Sequence, residues 1–172
     1  MTFVLSLIFF THRSRTRKLL SPIASELPDA QLAFLTMNAS WNGHAVKLST
    51  GGGGRSGPNY VVVEISASAP ARLSVWKRTW FPNIRLFVPP RVDVPGTADH
   101  IVRSDNAEFA HRMFDDLGAL IQTTITRRQD LLAITARRVY VRRTIEDTWR
   151  DEHNDGAREA WTLATRIVEY IG

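Results

Sequence analysis

The sequence predicts an α+β domain: an antiparallel sheet of about five to seven short strands packed against two amphipathic helices, preceded by an N-terminal apolar and helical segment. Two observations support this prediction. From residue 41 onwards several segments alternate apolar and polar residues, which is the period of a half-buried strand, whereas residues 106–123 and 157–171 have the spacing of helices with one apolar face. Because strand-like and helix-like segments are mostly grouped rather than alternating, α+β is favoured over a doubly wound parallel sheet.

The N-terminus joins an apolar segment to a basic flank. Residues 3–10 are apolar except for Ser6, and the basic residues that follow meet no acidic residue before Glu26. This asymmetry is typical of the cytoplasmic end of a membrane segment. Ten helical residues cover roughly 15 Å, whereas a bilayer core is about 30 Å thick, so the stub is too short to span by itself. The residues expected to contact the membrane are Phe9, Phe10, Arg13, Arg15, Arg17 and Lys18.

Three interpretations of this stub remain open. A longer helix begins upstream, or the stub is an interfacial anchor with its arginines on anionic lipid, or it packs on the domain. A secretory signal fits poorly, because its positive charges should precede the apolar run. We therefore divide the chain into an apolar stub with a basic flank (1–18), a connecting helix (19–38) and a single α+β domain (39–172). The connecting helix is expected to begin near Pro22 or after Pro28, since proline suits a first helical turn.

The predicted strands begin after Trp41. Alternation predicts a half-buried strand over 44–49, and the β-branched run at 60–65 predicts a second strand. Because the glycine-rich segment 51–57 joins the two, we expect a long hairpin. Further strands are predicted over 73–77, 84–88 (an edge strand between prolines), 99–103, 131–135 and 139–143, the last two forming a hairpin that turns near Arg137.

The two amphipathic helices have recognisable N-terminal signals. Asp105 followed by Glu108 resembles a capping box for the first helix, and Asp155 or Asn154 is expected to cap the second. The apolar stripes are Phe109, Met113, Leu117, Leu120 and Ile121 in the first helix (106–123), and Trp161, Ala164, Ile167, Val168 and Ile171 in the second (157–171).

Composition excludes several function classes. The chain has 172 residues, of which 44% are hydrophobic and 23% charged, as in an ordinary globular protein. With no cysteine, it has no disulfide, no thiolate metal site and no cysteine nucleophile. The net charge is +5, and the flank from Arg13 to Lys18 supplies four of these charges, leaving about +1. Global basicity is therefore weak evidence for nucleic-acid binding.

An arginine-rich hairpin is the main candidate binding surface. Between residues 127 and 143 the sequence places six arginines against Asp130 alone. Strand alternation puts an Arg-Tyr-Arg face on one side and two valines on the other. Such a face can bind phosphate or stack on a base. A solvated sheet face above a valine core is favoured, since the acidic segment 146–155 just downstream can neutralise the arginines. The candidate contacts for an anion or a partner are Arg137, Arg138, Tyr140 and Arg142.

Other motifs favour structural roles. The loop 51–57 lacks the lysine of a phosphate-binding loop and leads into a strand, so a flexible hairpin loop is favoured over anion contact through Arg55. The segment 76–80 mixes tryptophans with cations, as single-strand nucleic-acid binders do, but core or rim tryptophans are favoured, and near a membrane they could sit at the lipid interface. His111 and Asp115 have a chelating spacing without a third ligand. No catalytic, cofactor or metal site is predicted.

One stretch resembles a known group of proteins. The segment Pro95–Asn106 runs into a helix containing Phe114-Asp115-Asp116-Leu117, followed by the hairpin segments 131–135 and 139–142. This order resembles that of bacterial membrane-anchored domains of unknown function, in which a strand ending in serine or aspartate leads into a helix, a short hairpin and a C-terminal helix. The resemblance covers residues 40–170 and implies a domain that follows a membrane helix, of which this chain has only a fragment. It implies no activity.

These observations favour a non-catalytic binding or scaffolding module, membrane-associated at the cytoplasmic face of a bacterial membrane. Its expected partners are membrane lipid, through the N-terminus, and a protein. The first alternative is a soluble cytoplasmic nucleic-acid-binding protein that uses the arginine hairpin, and the second is a small hydrolase.

Overall fold

The computed structural model describes residues 2–27, 29–52, 59–79, 89–145 and 155–172, with the side chains of the first helix described from residue 13 onwards. These residues form one antiparallel sheet and helices, so the predicted α+β class is confirmed. In chain order the elements are α1 (Thr2–Ala24), β1 (Gln31–Leu32), β2 (Thr36–Trp41), β3 (His44–Gly51), β4 (Tyr60–Ser66), β5 (Leu73–Lys77), β6 (Arg91–Val92), β7 (His100–Ser104), α2 (Ala107–Thr124), β8 (Leu131–Thr135), β9 (Arg138–Thr144) and α3 (Gly156–Ile171).

The described sheet has nine strands in the order β1-β2-β3-β4-β9-β8-β5-β7-β6, so the expected five to seven was too few. The outermost strands β1 and β6 contain two residues each, too few to show alternation in a sequence. Such short edges offer little backbone for pairing with another chain. The predicted strand 84–88, the loop residue Arg55 and Trp80 lie outside the described residues.

Helix α3 packs against the two central strands, β4 and β9, and contacts α1 and α2. The sheet side chains that face the helices are apolar, and Leu48, Val63 and Val141 lie in register across β3, β4 and β9. All three are fully buried, as is Ile167 of α3. The face opposite the helices therefore presents the alternate residues of each strand.

Helix α1 is the main departure from the predicted domain boundaries. The helix runs unbroken through Pro22 to Ala24, and residues expected to continue the connecting helix form β1 and β2 instead. Proline is tolerated here because the Ser21 hydroxyl donates to the Lys18 carbonyl at 3.2 Å. That carbonyl lies four residues before Pro22, which has no N–H to donate to it.

The second half of α1 belongs to the core of the domain. Leu20, Ile23 and Leu27 are at most 2% exposed. Burial of each such side chain contributes roughly 1.5–3 kcal/mol. The folded unit thus includes residues assigned from the sequence to a connecting helix.

Helix α2 begins one residue later than the predicted cap. Asn106 is the N-cap, and its Oδ1 accepts a hydrogen bond from the Phe109 N–H at 3.0 Å. Asp105 instead accepts from the Arg72 N–H at 2.8 Å, a partner distant in sequence. The buried stripe is also rotated, because Ala110 and Phe114 are buried whereas Leu117, expected in the core, is only half-buried.

Candidate anion and membrane contacts

The Arg-Tyr-Arg face lies where strand alternation places it. Arg138, Tyr140 and Arg142 of β9 are on the face opposite the helices and are exposed or half-buried, whereas Val139 and Val141 are fully buried. Burial raises the pKa of the Tyr140 phenol above its usual value, and the nearby Arg142 charge opposes that rise. Tyr140 is therefore a neutral hydroxyl between two cations.

The arginines of this face already have partners within the sheet. Arg138 Nη1 donates to Glu64 Oε2 at 2.9 Å. The Arg142 guanidinium stacks 4.1 Å from the ring centroid of Tyr60, and its Nη2 donates to Gln129 Oε1 at 3.2 Å. This cation–π contact with Tyr60 holds the Arg142 guanidinium within the sheet.

Arg137 and Arg138 line a groove of about 450 Å³ at one end of this face. Its other cationic wall is Arg72, which precedes β5 and forms an ion pair with Asp105 at 3.9 Å. The groove exists because β5 pairs with β8, which brings Arg72 beside the turn between β8 and β9. Sequence reasoning missed Arg72, because no local pattern predicts that pairing. The full lining is Arg72, Ser74, Pro89, Ala133, Ile134, Thr135, Ala136, Arg137 and Arg138.

The four candidate residues are divided between the two ends of the sheet. We call the end where β3 finishes and β4 begins the Gly51 end, and the opposite end, which contains the groove, the Ser66 end. Strand register places the finish of β9, the start of β8 and the finish of β5 at the Gly51 end. Arg142 thus lies near the Gly51 end and Arg138 at the Ser66 end, so the four candidate residues do not converge on one site.

The expected membrane contacts lie along α1. Arg13, Arg17 and Lys18 are exposed and Arg15 is half-buried. Phe9 and Phe10 belong to the helical backbone of α1, but their side chains lie outside the described part of the chain.

Helix α1 is fixed to the domain at two levels. Near its middle, the hydroxyls of Thr16 and Thr50 are 2.8 Å apart and both residues are buried. Just after its C-terminus, Glu26 accepts from Arg158 Nη1 at 2.8 Å and from Trp161 Nε1 at 3.3 Å. Trp161 in turn packs edge-on against Trp41, with ring centroids 5.8 Å apart, at the turn between β2 and β3.

A buried ionic network joins the sheet to α3. Asp130 is fully buried and accepts hydrogen bonds from Arg143 Nη1 at 2.6 Å and from the Thr144 N–H at 2.7 Å. Two further N–H groups, of Thr126 and Arg127, donate to the same carboxylate. Arg143 Nε also donates to Glu159 Oε2 of α3 at 2.8 Å. Burial opposes the Arg143 charge, but these carboxylates outweigh it and hold the pKa of the guanidinium above its usual value.

Two other buried aromatic side chains, Trp76 and His100, are structural in this fold. Trp76 is 2% exposed. The Arg103 guanidinium lies 6.0 Å from its ring centroid. Trp76 therefore cannot stack on a base, which weakens the nucleic-acid alternative. His100 is buried, and its Nε2 donates to the Ile125 carbonyl at 2.7 Å.

The described residues contain no cluster of three or more His, Asp or Glu side chains suited to a metal ion. Within the same residues, none of the helices is both long and apolar enough to cross a membrane.

Comparison with known proteins provides a fold relative. No protein-family model matches the chain, and no curated protein matches it. The crystal structure of the mycobacterial trehalose monomycolate transport factor A, TtfA, is similar with a TM-score of 0.54 at 12% sequence identity. The match covers 91% of this chain and 92% of that chain. The likeness therefore concerns the fold over nearly the whole length of both proteins.

Proposed function

We propose that this chain is a non-catalytic binding or scaffolding module held at the cytoplasmic face of a bacterial membrane by α1. One observation carries the proposal: α1 is a single helix of 23 residues, with its second half built into the core and its first half apolar in sequence.

The contacts of α1 fix its direction relative to the sheet. Thr16 lies beside Thr50, next to the Gly51 end, whereas Glu26 contacts Trp161, which packs on Trp41 at the opposite end of β3. Helix α1 therefore runs antiparallel to β3, and its N-terminal half continues past the Gly51 end. Residues 2–12 add roughly 16 Å of helix in that direction. Phe9 and Phe10 lie on this extension.

Charge distribution supports a cytoplasmic orientation. Arg13, Arg17 and Lys18 are exposed on α1 between the apolar half and the folded domain. Basic residues that border an apolar segment favour the cytoplasmic side of a bacterial membrane and the anionic lipids there. Membrane lipid is thus the first partner that we propose.

A scaffolding role in lipid transport accords with the fold. The similar protein TtfA is a trehalose monomycolate transport factor. We propose that this chain likewise assists the movement of a lipid by binding a protein partner of the transport machinery. The arginine-lined groove at the Ser66 end faces away from the proposed anchor and is open to such a partner.

Membrane fractionation of cells that express the full chain tests the anchor. The variant Phe9→Glu/Phe10→Glu places two charges on the apolar half, so we expect it to move from the membrane fraction to the soluble fraction. The control Gln31→Glu/Thr162→Glu adds the same charge at exposed positions of β1 and α3 and should stay with the membrane. Equal distribution of the Phe9/Phe10 variant and the unchanged chain, with both folded by circular dichroism, would contradict the proposal.

A further inference from the structure

We propose that the Gly51 end of the sheet rests on the anionic membrane surface, with Arg78 and Arg128 binding lipid headgroup phosphates alongside the basic flank of α1. This inference rests on the proposed membrane attachment and adds which face of the domain meets the lipid.

Register and connectivity place both arginines at this end. Arg78 directly follows the last residue of β5, and its N–H donates to the Asp99 carbonyl at 2.9 Å. Arg128 lies in the turn closed by the hydrogen bond from the Asp130 N–H to the Arg127 carbonyl at 3.1 Å, just before β8. Because β8 and β5 are neighbouring strands, the two arginines lie on adjacent strand ends, and four strand spacings of about 4.8 Å, roughly 19 Å, separate β5 from β3.

Both side chains are available to a ligand. Arg78 and Arg128 are exposed, and neither guanidinium has a partner among the residues that the structure describes. Two acidic side chains described nearby are engaged by other cations, since Asp130 is buried against Arg143 and Asp99 lies 3.7 Å from Lys77. Arg78 and Arg128 thus remain exposed cations in the described part of this edge.

The Ser66 end provides a contrast within the same sheet. There Arg138 pairs with Glu64 at 2.9 Å and Arg72 pairs with Asp105 at 3.9 Å, whereas Arg137 is exposed, so two of the three arginines that line the groove are paired. Cations that are already paired gain less from an anionic surface than exposed unpaired ones. The asymmetry matches the direction of α1, which leaves the domain past the Gly51 end.

Headgroup chemistry suits these residues. Arginine binds phosphate oxygens in a bidentate manner and is weakly hydrated, so it transfers readily to a headgroup layer. The field of an anionic leaflet extends about one Debye length, near 8 Å at physiological salt. A domain that lies on the surface along its Gly51 end keeps Arg78 and Arg128 within that range, whereas a domain resting on its other end does not.

Vesicle flotation of the purified full chain tests the orientation. Each basic residue at an anionic surface raises the partition coefficient about fivefold, so Arg78→Gln/Arg128→Gln should lower it about 25-fold on vesicles of phosphatidylcholine with phosphatidylglycerol. On phosphatidylcholine alone the same variant should bind like the unchanged chain. The matched control Arg137→Gln/Arg138→Gln removes the same charge at the Ser66 end and should bind both vesicles normally. Equal losses for the two variants, or a loss only for the control, would overturn the inference.

A fluorescence measurement gives a second readout that does not depend on affinity. Because the sequence contains no cysteine, Arg128→Cys and Arg137→Cys each provide a unique site for an environment-sensitive dye. We expect a blue shift on anionic vesicles for the dye at position 128 and none at position 137. The reverse pattern, or no shift at either site, contradicts the proposed orientation.

The outcomes separate this inference from the membrane proposal itself. If Phe9→Glu/Phe10→Glu abolishes flotation while Arg78→Gln/Arg128→Gln has no effect, the anchor stands and the orientation is wrong. If the Arg78/Arg128 variant loses salt-sensitive binding to RNA but retains vesicle binding, the edge serves nucleic acid and the inference also fails.

Discussion

Replacing Asp130 by alanine should destabilise the domain more than any other single change in its ionic network. The carboxylate is fully buried and holds the Arg143 guanidinium at 2.6 Å. It also accepts hydrogen bonds from the N–H groups of Thr126, Arg127 and Thr144. Removing one partner of a buried ion pair costs about 3–5 kcal/mol, because the other charge stays buried without compensation. That is a large part of the roughly 5–15 kcal/mol that stabilises a typical domain.

The partner on α3 provides the control. Glu159 also binds Arg143, at 2.8 Å, but its side chain is 42% exposed. The Glu159→Gln variant should therefore cost less than about 1 kcal/mol, the range of solvent-exposed pairs. Adding Arg143→Met to Asp130→Ala should recover part of the lost stability, since the double variant no longer buries an unpaired cation.

Urea unfolding in a mild detergent, monitored by circular dichroism, gives the free energy of unfolding of each protein. The four proteins are the unchanged chain, Asp130→Ala, Glu159→Gln and Asp130→Ala/Arg143→Met. We expect the midpoint to fall strongly for Asp130→Ala and little for Glu159→Gln, with similar slopes. If Asp130→Ala costs no more than Glu159→Gln, the network is not a buried structural clamp and the reasoning is refuted.

Three further predictions concern the helices and the buried histidine. Burial lowers the pKa of His100, so the unfolded chain binds a proton more readily than the folded chain does. The free energy of unfolding should therefore have its full value above pH ~6.5 and fall below that pH, and His100→Gln should flatten this dependence in thermal melts at several pH values. Asn106→Ala removes the α2 cap and should cost about 1 kcal/mol in urea unfolding, and an unchanged midpoint would contradict the assignment. Met113→Asp buries an unpaired charge and should prevent cooperative melting, whereas the exposed Asp116→Leu should change stability by no more than about 0.5 kcal/mol.

Local periodicity was sufficient for the elements that bury one face by themselves. The hairpin of β3 and β4, the hairpin of β8 and β9, and both amphipathic helices were predicted within a few residues of their observed bounds. The apolar periodicity that predicts each of these elements lies within one segment of the sequence. Alternation or helical spacing there indicates which face of the element is buried.

Elements that depend on distant partners were missed. Pro22 suggested a helix start, but Ser21 satisfies the carbonyl that proline leaves free, and core contacts hold α1 in place. Asp105 was predicted to cap α2, but its carboxylate instead accepts a hydrogen bond from the Arg72 N–H.

The candidate site shows the same division. Alternation correctly put Arg138 and Arg142 on one strand face, whereas the pairing of β5 with β8, which adds Arg72 to the groove, has no local signature. In the sequence Asp130 is an isolated acidic residue among arginines. Its burial and its ion pair depend on Arg143, which follows it by thirteen residues on another strand, so the sequence alone did not predict them.

The strand order also dictates when the sheet can be completed. Strands β4 and β5 each pair with a member of the β8–β9 hairpin, which is synthesised last among the strands. At about 5–20 residues per second, the ribosome takes roughly 4–16 s between releasing Ser66 and Thr144. Throughout that interval β4 has an open edge beside the apolar face that α3 will cover. If α1 has already reached the bilayer, the domain folds while tethered to the membrane. The last strands made, β8 and β9, must then be inserted between β4 and β5.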